Sequence, residues 1–264
     1  MYENPLFKET RMKLKLSKIS AFHYWKLVYR SLLLLCALVL YVVAQLGAEE
    51  FSRTILHNFR WVFGIIWLVY MVEMVLRLFP SSYESMGCQK QFKKNHKPNG
   101  NKLDKPSEKP IWAIFFAWIA LNGAIYALYF THIIDKYILL MVALAYGVCD
   151  MICILFFCPF QTWFMKNKCC GSCRIYNWDY AMMFTPLLLI PSAYTWSLLG
   201  LALVLLVVWE WTYYRYPERF YEQTNESLKC VNCPEKLCHH KKQLRSFLKK
   251  RRIELCEELK KRGL

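Results

Sequence analysis

Twelve cysteines stand in this chain of 264 residues, and several fall at spacings that suit a metal ion. Cys170 and Cys173 are separated by Gly-Ser, with Cys169 adjacent. Cys230 and Cys233 are separated by Val-Asn, and Cys238 follows. A two-residue gap lets two thiolates point at one ion from one tight turn, and two such turns close a four-thiolate site. Cys158 ends an apolar run before the first group, and Cys88 follows another. The candidate ligands are therefore Cys169, Cys170, Cys173, Cys230, Cys233, Cys238, Cys158 and Cys88.

Zinc and iron–sulfur clusters both accept four thiolates. Cys158-Pro159 and Cys233-Pro234 share the dipeptide that ends a ferredoxin cluster motif, which tilts the expectation toward an iron–sulfur cluster, with zinc as the alternative. His239 and His240 are further zinc donors, although histidines in a His-His-Lys-Lys run are commonly solvated. Without a metal, the same cysteines are free interfacial thiols or sites of lipid attachment. Cys36, Cys149 and Cys153 lie inside apolar runs, where cysteine serves as a small hydrophobe, and no role is assigned to them. The chain holds no phosphate-cradling glycine loop, no nucleophile elbow and no HExxH zinc helix.

The elements that must position these cysteines are hydrophobic. The chain is 56% hydrophobic and 17% aromatic, yet carries a formal charge of +16. Apolar residues come in uninterrupted blocks with the charges between them, the pattern of a polytopic membrane protein. Spans are predicted at roughly 31–47, 61–79, 111–131 and 137–158, each near the ~20 residues a helix needs to cross ~30 Å of hydrocarbon. Residues 179–214 are too many for one span. Pro191 with Tyr194 and Trp196 marks a hairpin of span five, roughly 179–193, and span six, roughly 196–213. One kinked, tilted helix is the alternative.

The expected fold is thus an all-α integral membrane protein with about six transmembrane helices. A basic segment over 1–30 precedes helices 1–2 (31–79), and a polar loop (80–110) precedes helices 3–4 (111–158). A cysteine-rich loop (159–178), the hairpin (179–214) and a basic, cysteine-containing tail (215–264) follow. The 1–30 segment carries seven Lys/Arg interleaved with aromatics and can lie in the headgroup layer as an amphipathic helix or form a solvated tail. No signal-peptide cleavage site stands out.

Charge sets the orientation. Residues 81–110 carry seven more Lys/Arg, 159–178 three, and the tail is basic, whereas the opposite loops carry little. The positive-inside rule puts both termini and both long loops in the cytoplasm of a cell (plasma) membrane protein. Nine cysteines then share the cytoplasmic face, where stable disulfides are not expected.

Within the spans, Glu73 and Arg77 stand one turn apart and are expected to pair, as are Glu210 and Arg215. Asp150 has no local partner in sequence and marks either helix–helix contact or a proton or cation path. No histidine is mid-span, which argues against a membrane haem. The tail, 241–264, reads as a basic amphipathic helix suited to anionic lipid, with no surface for nucleic acid. Asn225-Glu-Ser matches an N-glycosylation acceptor but falls on the cytoplasmic side.

Three functions follow as expectations. The first is an iron–sulfur redox protein passing electrons to a quinone or a soluble redox partner. The second is a non-catalytic membrane scaffold in which zinc staples loop to tail. The third is a metal-ion transporter using Asp150 and Glu73.

Overall fold

The computed structural model describes residues 17–47, 60–82, 84–167, 169, 171–233, 235, 241, 246 and 249. Among these the α-helices are α1 (Lys18–Gln45), α2 (Arg60–Arg77), α3 (Met86–Gln89), α4 (Lys109–Phe130), α5 (Lys136–Leu155), α6 (Asp179–Phe184) and α7 (Ala193–Arg215). Short 3-10 turns and one π-helical turn, Phe160–Phe164, join them. The described residues form no strand, only an isolated bridge between Pro98 and Asn225. The fold is all-helical. Helices α1, α4, α5 and α7 are long and apolar enough to cross a membrane, in agreement with an α-helical membrane protein. Helix α2 has 18 residues and includes Arg60, Glu73 and Arg77.

Local chemistry fixes the helix starts. The Ser17 hydroxyl accepts from the Ser20 amide at 3.1 Å. Asp135 accepts from Tyr137 and Ile138, both at 2.9 Å. Ser192 accepts from Tyr194 at 3.3 Å. Each satisfies an amide that the first helical turn leaves unpaired.

Two expectations change here. The basic stretch from Lys18 to Arg30 is not a separate surface helix but the first half of α1, with Ser20, His23, Lys26 and Arg30 buried in the bundle. Its polar face is directed inward because acidic partners on α2 and α5 meet it there. Residues 1–16 lie outside the described residues.

The segment expected as span five is not one helix. It runs as a 3-10 turn at Tyr176–Trp178, the six-residue α6, and a 3-10 stretch at Thr185–Leu189. Pro186 lacks the amide proton that would continue α6, so the chain tightens there. The three pieces return antiparallel to α7: Trp196 donates its indole N–H to the Leu188 carbonyl at 3.3 Å.

Helix α5 packs along α1, and α6 is wedged between α5 and α7. Helix α4 rests mainly on the turns at 160–164 and 185–189. Two apolar clusters result. One holds Tyr70, Ala143, Met183 and Leu205, and the other Met151, Ile154, Tyr176 and Trp209. A polar layer between them draws Lys26 and Arg30 from α1, Glu73 and Arg77 from α2, Asp150 from α5 and Asp179 from α6.

The start of α1 and the segment at Glu235 meet at one end of the bundle. The Glu235 carbonyl accepts from the Ser17 and Ser20 hydroxyls at 3.2 and 3.1 Å. Its carboxylate accepts from the Ser85 hydroxyl and the Met86 amide, each at 2.7 Å. Asn225 belongs to the same stapling. It is fully buried, accepts from the Lys97 and Ser227 amides at 3.1 Å and donates to the Arg219 carbonyl at 2.9 Å. Its side-chain nitrogen is thus committed to structure. Of the predicted tail helix, only Lys241, Phe247's neighbour Ser246, and Lys249 are described.

Candidate functional site

The polar layer is built from residues far apart in sequence. Arg30, buried, donates to Glu73 at 3.0 Å, to Asp150 at 3.3 Å and to the Gly147 carbonyl at 3.2 Å. Glu73 also accepts from the Tyr29 and Tyr180 hydroxyls at 2.8 and 2.6 Å, and Lys26 stands 3.6 Å away. Arg77 pairs with Asp179 at 2.6 Å and lies 3.8 Å from Glu84. Its guanidinium sits over the Tyr180 ring. The expected Glu73–Arg77 pair is replaced by these contacts, because each finds a closer partner on another element.

Arg174 takes Glu210 as its ion-pair partner, with the Trp178 indole donating to Glu210 at 2.7 Å. Glu210 is thereby engaged across the bundle rather than with Arg215 on its own helix. The run Arg174–Tyr180 is a strap: Arg174 and Trp178 face α7, while Asn177, Asp179 and Tyr180 face α2. Asp150, without a local partner in sequence, is held by Arg30.

The cysteines occupy several settings. Cys88 is fully buried at α3, its thiol donating to the Ser85 carbonyl at 3.0 Å. Burial pushes that thiol well above its ordinary pKa, which disfavours the thiolate a metal needs. Cys169 accepts from the Gly171 amide at 3.4 Å. Cys173 is buried, with its sulfur 3.9 Å from Met165 Sδ. Cys230 is exposed and Cys233 half-buried. Cys170 and Cys238 lie outside the described residues. Among the described residues, no three His, Cys, Asp or Glu side chains gather in an arrangement able to hold a metal ion.

Lys90 organises the Cys169–Cys173 turn. Fully buried, it donates to the Gly171 and Cys173 carbonyls at 3.0 and 2.7 Å and lies over the Trp209 and Phe220 rings. Burial lowers its pKa to about 7. A lysine in a basic, hydrophilic loop gave no sequence signal of this role.

Cys149, Cys153, Cys158 and Cys173 line a single cleft of about 310 Å³ with Met182 and Met183. It lies between α4 and α5. Trp118, Leu121 and Tyr146 supply an apolar wall, and Asp150 and Asp179 border it. Cys153, on the last turn of α5, and Cys158 are five residues apart on the same wall, and the Gln161 amide donates to the Cys158 sulfur at 3.4 Å. Cys158 lies beyond the end of α5 at Leu155, at the entry to the π-helical turn. The Cys153 thiol and the Gln161 and Phe160 amides hold its pKa below the ordinary thiol value, and Lys241 acts in the same direction. Lys241 also donates to the Cys153 carbonyl at 3.2 Å.

This arrangement can do thiol chemistry. A thiolate supported by backbone amides and a cation is a nucleophile, and a second thiol on the same cleft wall can resolve it. Two of the expected ligands, Cys158 and Cys173, share the cleft wall. Cys149 and Cys153, read from sequence as inert, complete it. The signal that finds Cys153 is its five-residue offset from Cys158 across a helix end, where the chain folds back on itself. Comparison with protein-family models, curated proteins and solved structures gives no match to this chain.

Proposed function

We propose that this chain is a multi-pass membrane protein performing thiol redox chemistry, with Cys158 and Cys153 cycling between dithiol and disulfide. The place of both cysteines on one cleft wall, five residues apart across the end of α5, carries this reading. As the sulfur–sulfur bond forms, the two thiols lose two protons and two electrons together. Cys158, as thiolate, is the attacking sulfur, and Cys153 resolves.

The proposed topology is six crossings, the fifth being the composite segment 176–189, with both termini on the cytoplasmic side. The contact of Ser17 and Ser20 with Glu235 supports an even number of crossings. The basic loops support the orientation.

The test is oxidation of reduced, detergent-purified protein with diamide, followed by chymotryptic mass mapping. A loss of two hydrogens localised to Cys153 and Cys158 is expected, and Cys153→Ser abolishes it. Oxidation confined to other cysteines, with this pair still reduced, would overturn the proposal.

A cysteine-ligated metal, iron–sulfur or zinc, is the second reading. Its support is the Lys90 clamp, which holds the Cys169–Cys173 turn at the end of the bundle where residues 226–233 also lie. Its ligands would be Cys169, Cys170, Cys173, Cys230, Cys233 and Cys238. Metal and sulfide analysis of anaerobically prepared protein tests it: about one zinc, or iron with sulfide, supports it, and metal-free protein ends it. A cation path through Asp150 and Glu73 is the least supported, since Arg30, Lys26, Tyr29 and Tyr180 already engage these carboxylates.

A further inference from the structure

The cleft that carries the two thiols has features which the dithiol pair does not itself require. At about 310 Å³ it sits at the lower end of small-ligand sites. Its wall is aromatic and apolar, with Trp118 against Tyr146 at 4.8 Å between ring centroids. Tyr146 brings a phenol hydroxyl that is shielded from solvent and has no hydrogen-bond partner in the structure. A shielded hydroxyl left unpaired is unfavourable, so a ligand with an acceptor oxygen is favoured there.

The opening points sideways. Leu121 and Cys149, both lining the cleft, are exposed on the flank of the bundle. Leu121 stands about 18 Å along α4 from Lys109, at 1.5 Å per residue. That is mid-helix, at the depth of hydrocarbon if α4 crosses a membrane. An occupant entering there comes from the lipid phase rather than from the loop end.

We propose that this cleft binds a lipophilic 1,4-quinone, which is the two-electron oxidant of the Cys153–Cys158 pair. The inference rests on the dithiol reading above. An apolar cleft selects a molecule dissolved in the bilayer, the aromatic wall fits a planar ring, and the Tyr146 hydroxyl donates to a ring carbonyl. The reaction balances. The Cys158 thiolate adds to a ring carbon, and Cys153 displaces that carbon from Cys158 sulfur as the disulfide forms. The electron pair of the broken carbon–sulfur bond remains on the ring. Two thiol protons end on the two ring oxygens. One dithiol and one quinone yield one disulfide and one hydroquinone.

The experiment uses the full chain, reduced and anaerobic, in lipid nanodiscs, with a decyl-substituted benzoquinone as the probe. Quinone absorbance and the Cys153–Cys158 mass shift are followed together. One hydroquinone per disulfide is expected. Leu121→Trp, which fills the mouth, is expected to slow quinone-driven oxidation at least tenfold. Tyr146→Phe is expected to raise the half-saturating quinone concentration about tenfold, the loss of one hydrogen bond. If diamide forms the disulfide but the quinone does not, or if Leu121→Trp oxidises with quinone at the wild-type rate, the quinone site is overturned and the dithiol stands. If neither oxidant links the pair, the dithiol reading itself falls.

Discussion

Arg30 holds two carboxylates from different helices, and its own solvent exposure is 1%. Removing one partner of a buried ion pair leaves the others charged and unpaired, which costs about 3–5 kcal/mol. Arg30→Met is therefore expected to lower the thermal midpoint sharply in detergent, whereas Arg30→Lys retains part of the loss. Adding Asp150→Asn to Arg30→Met is expected to recover stability, since Asp150 has lost the cation that held it while Glu73 keeps Lys26 and the Tyr29 and Tyr180 hydroxyls. A double variant no more stable than the single one would show that the layer is not held by charge. Sequence identified Glu73, Arg77, Asp150 and Glu210 as buried charges, because charge inside an apolar run is conspicuous. It did not identify their partners. Arg30 reaches Asp150 across 120 positions and Arg77 reaches Asp179 across 102, and no local spacing rule applies over that distance. Lys26 and Arg30 were further concealed by their place in a basic stretch that resembles a surface segment.

The strap from Arg174 to Tyr180 is the element on which the site depends, because it reaches both α2 and α7 and closes one wall of the cleft. Its seat is Gly87 on α3. A methyl group there would stand 2.5 Å from the Tyr176 ring, inside any tolerated contact. Gly87→Ala is expected to displace Tyr176 and cost about 1–3 kcal/mol by overpacking, with Tyr176→Leu in the same chain recovering most of it. Thermal unfolding of the three variants checks this; an unshifted Gly87→Ala would mean that the strap does not rest on α3. The long helices were legible because ~20 apolar residues in a row admit few other structures. The composite fifth segment was not, because Pro186 acts by tightening the helix and not by ending it. Pro191 stands between the 3-10 stretch Thr185–Leu189 and the start of α7 at Ala193.

At the scale of the whole chain, the ends of the fold are tied to one another. Glu235 bonds to the start of α1 and to the start of α3, while Lys97 and Asn225 join the loop after α2 to the segment after α7. These contacts need the loop at 80–108, the segment after 215 and the start of α1 on one side of any membrane the bundle crosses. The turn at 131–135 then lies on the other. With single cysteines introduced at Asp104, Gln223 and Asp135 in a chain whose native cysteines are replaced, a membrane-impermeant maleimide applied to intact cells is expected to label only Asp135→Cys. Permeabilised cells should label all three. Labelling of Gln223→Cys in intact cells would mean that 176–189 does not cross, leaving five crossings and separating the tail from α1. Such a chain could not keep the Glu235 contacts, nor hold Lys241 beside Cys158. The topology and the cleft chemistry therefore share this requirement: the tail supports the thiolate only if the composite segment carries the chain back through the bilayer.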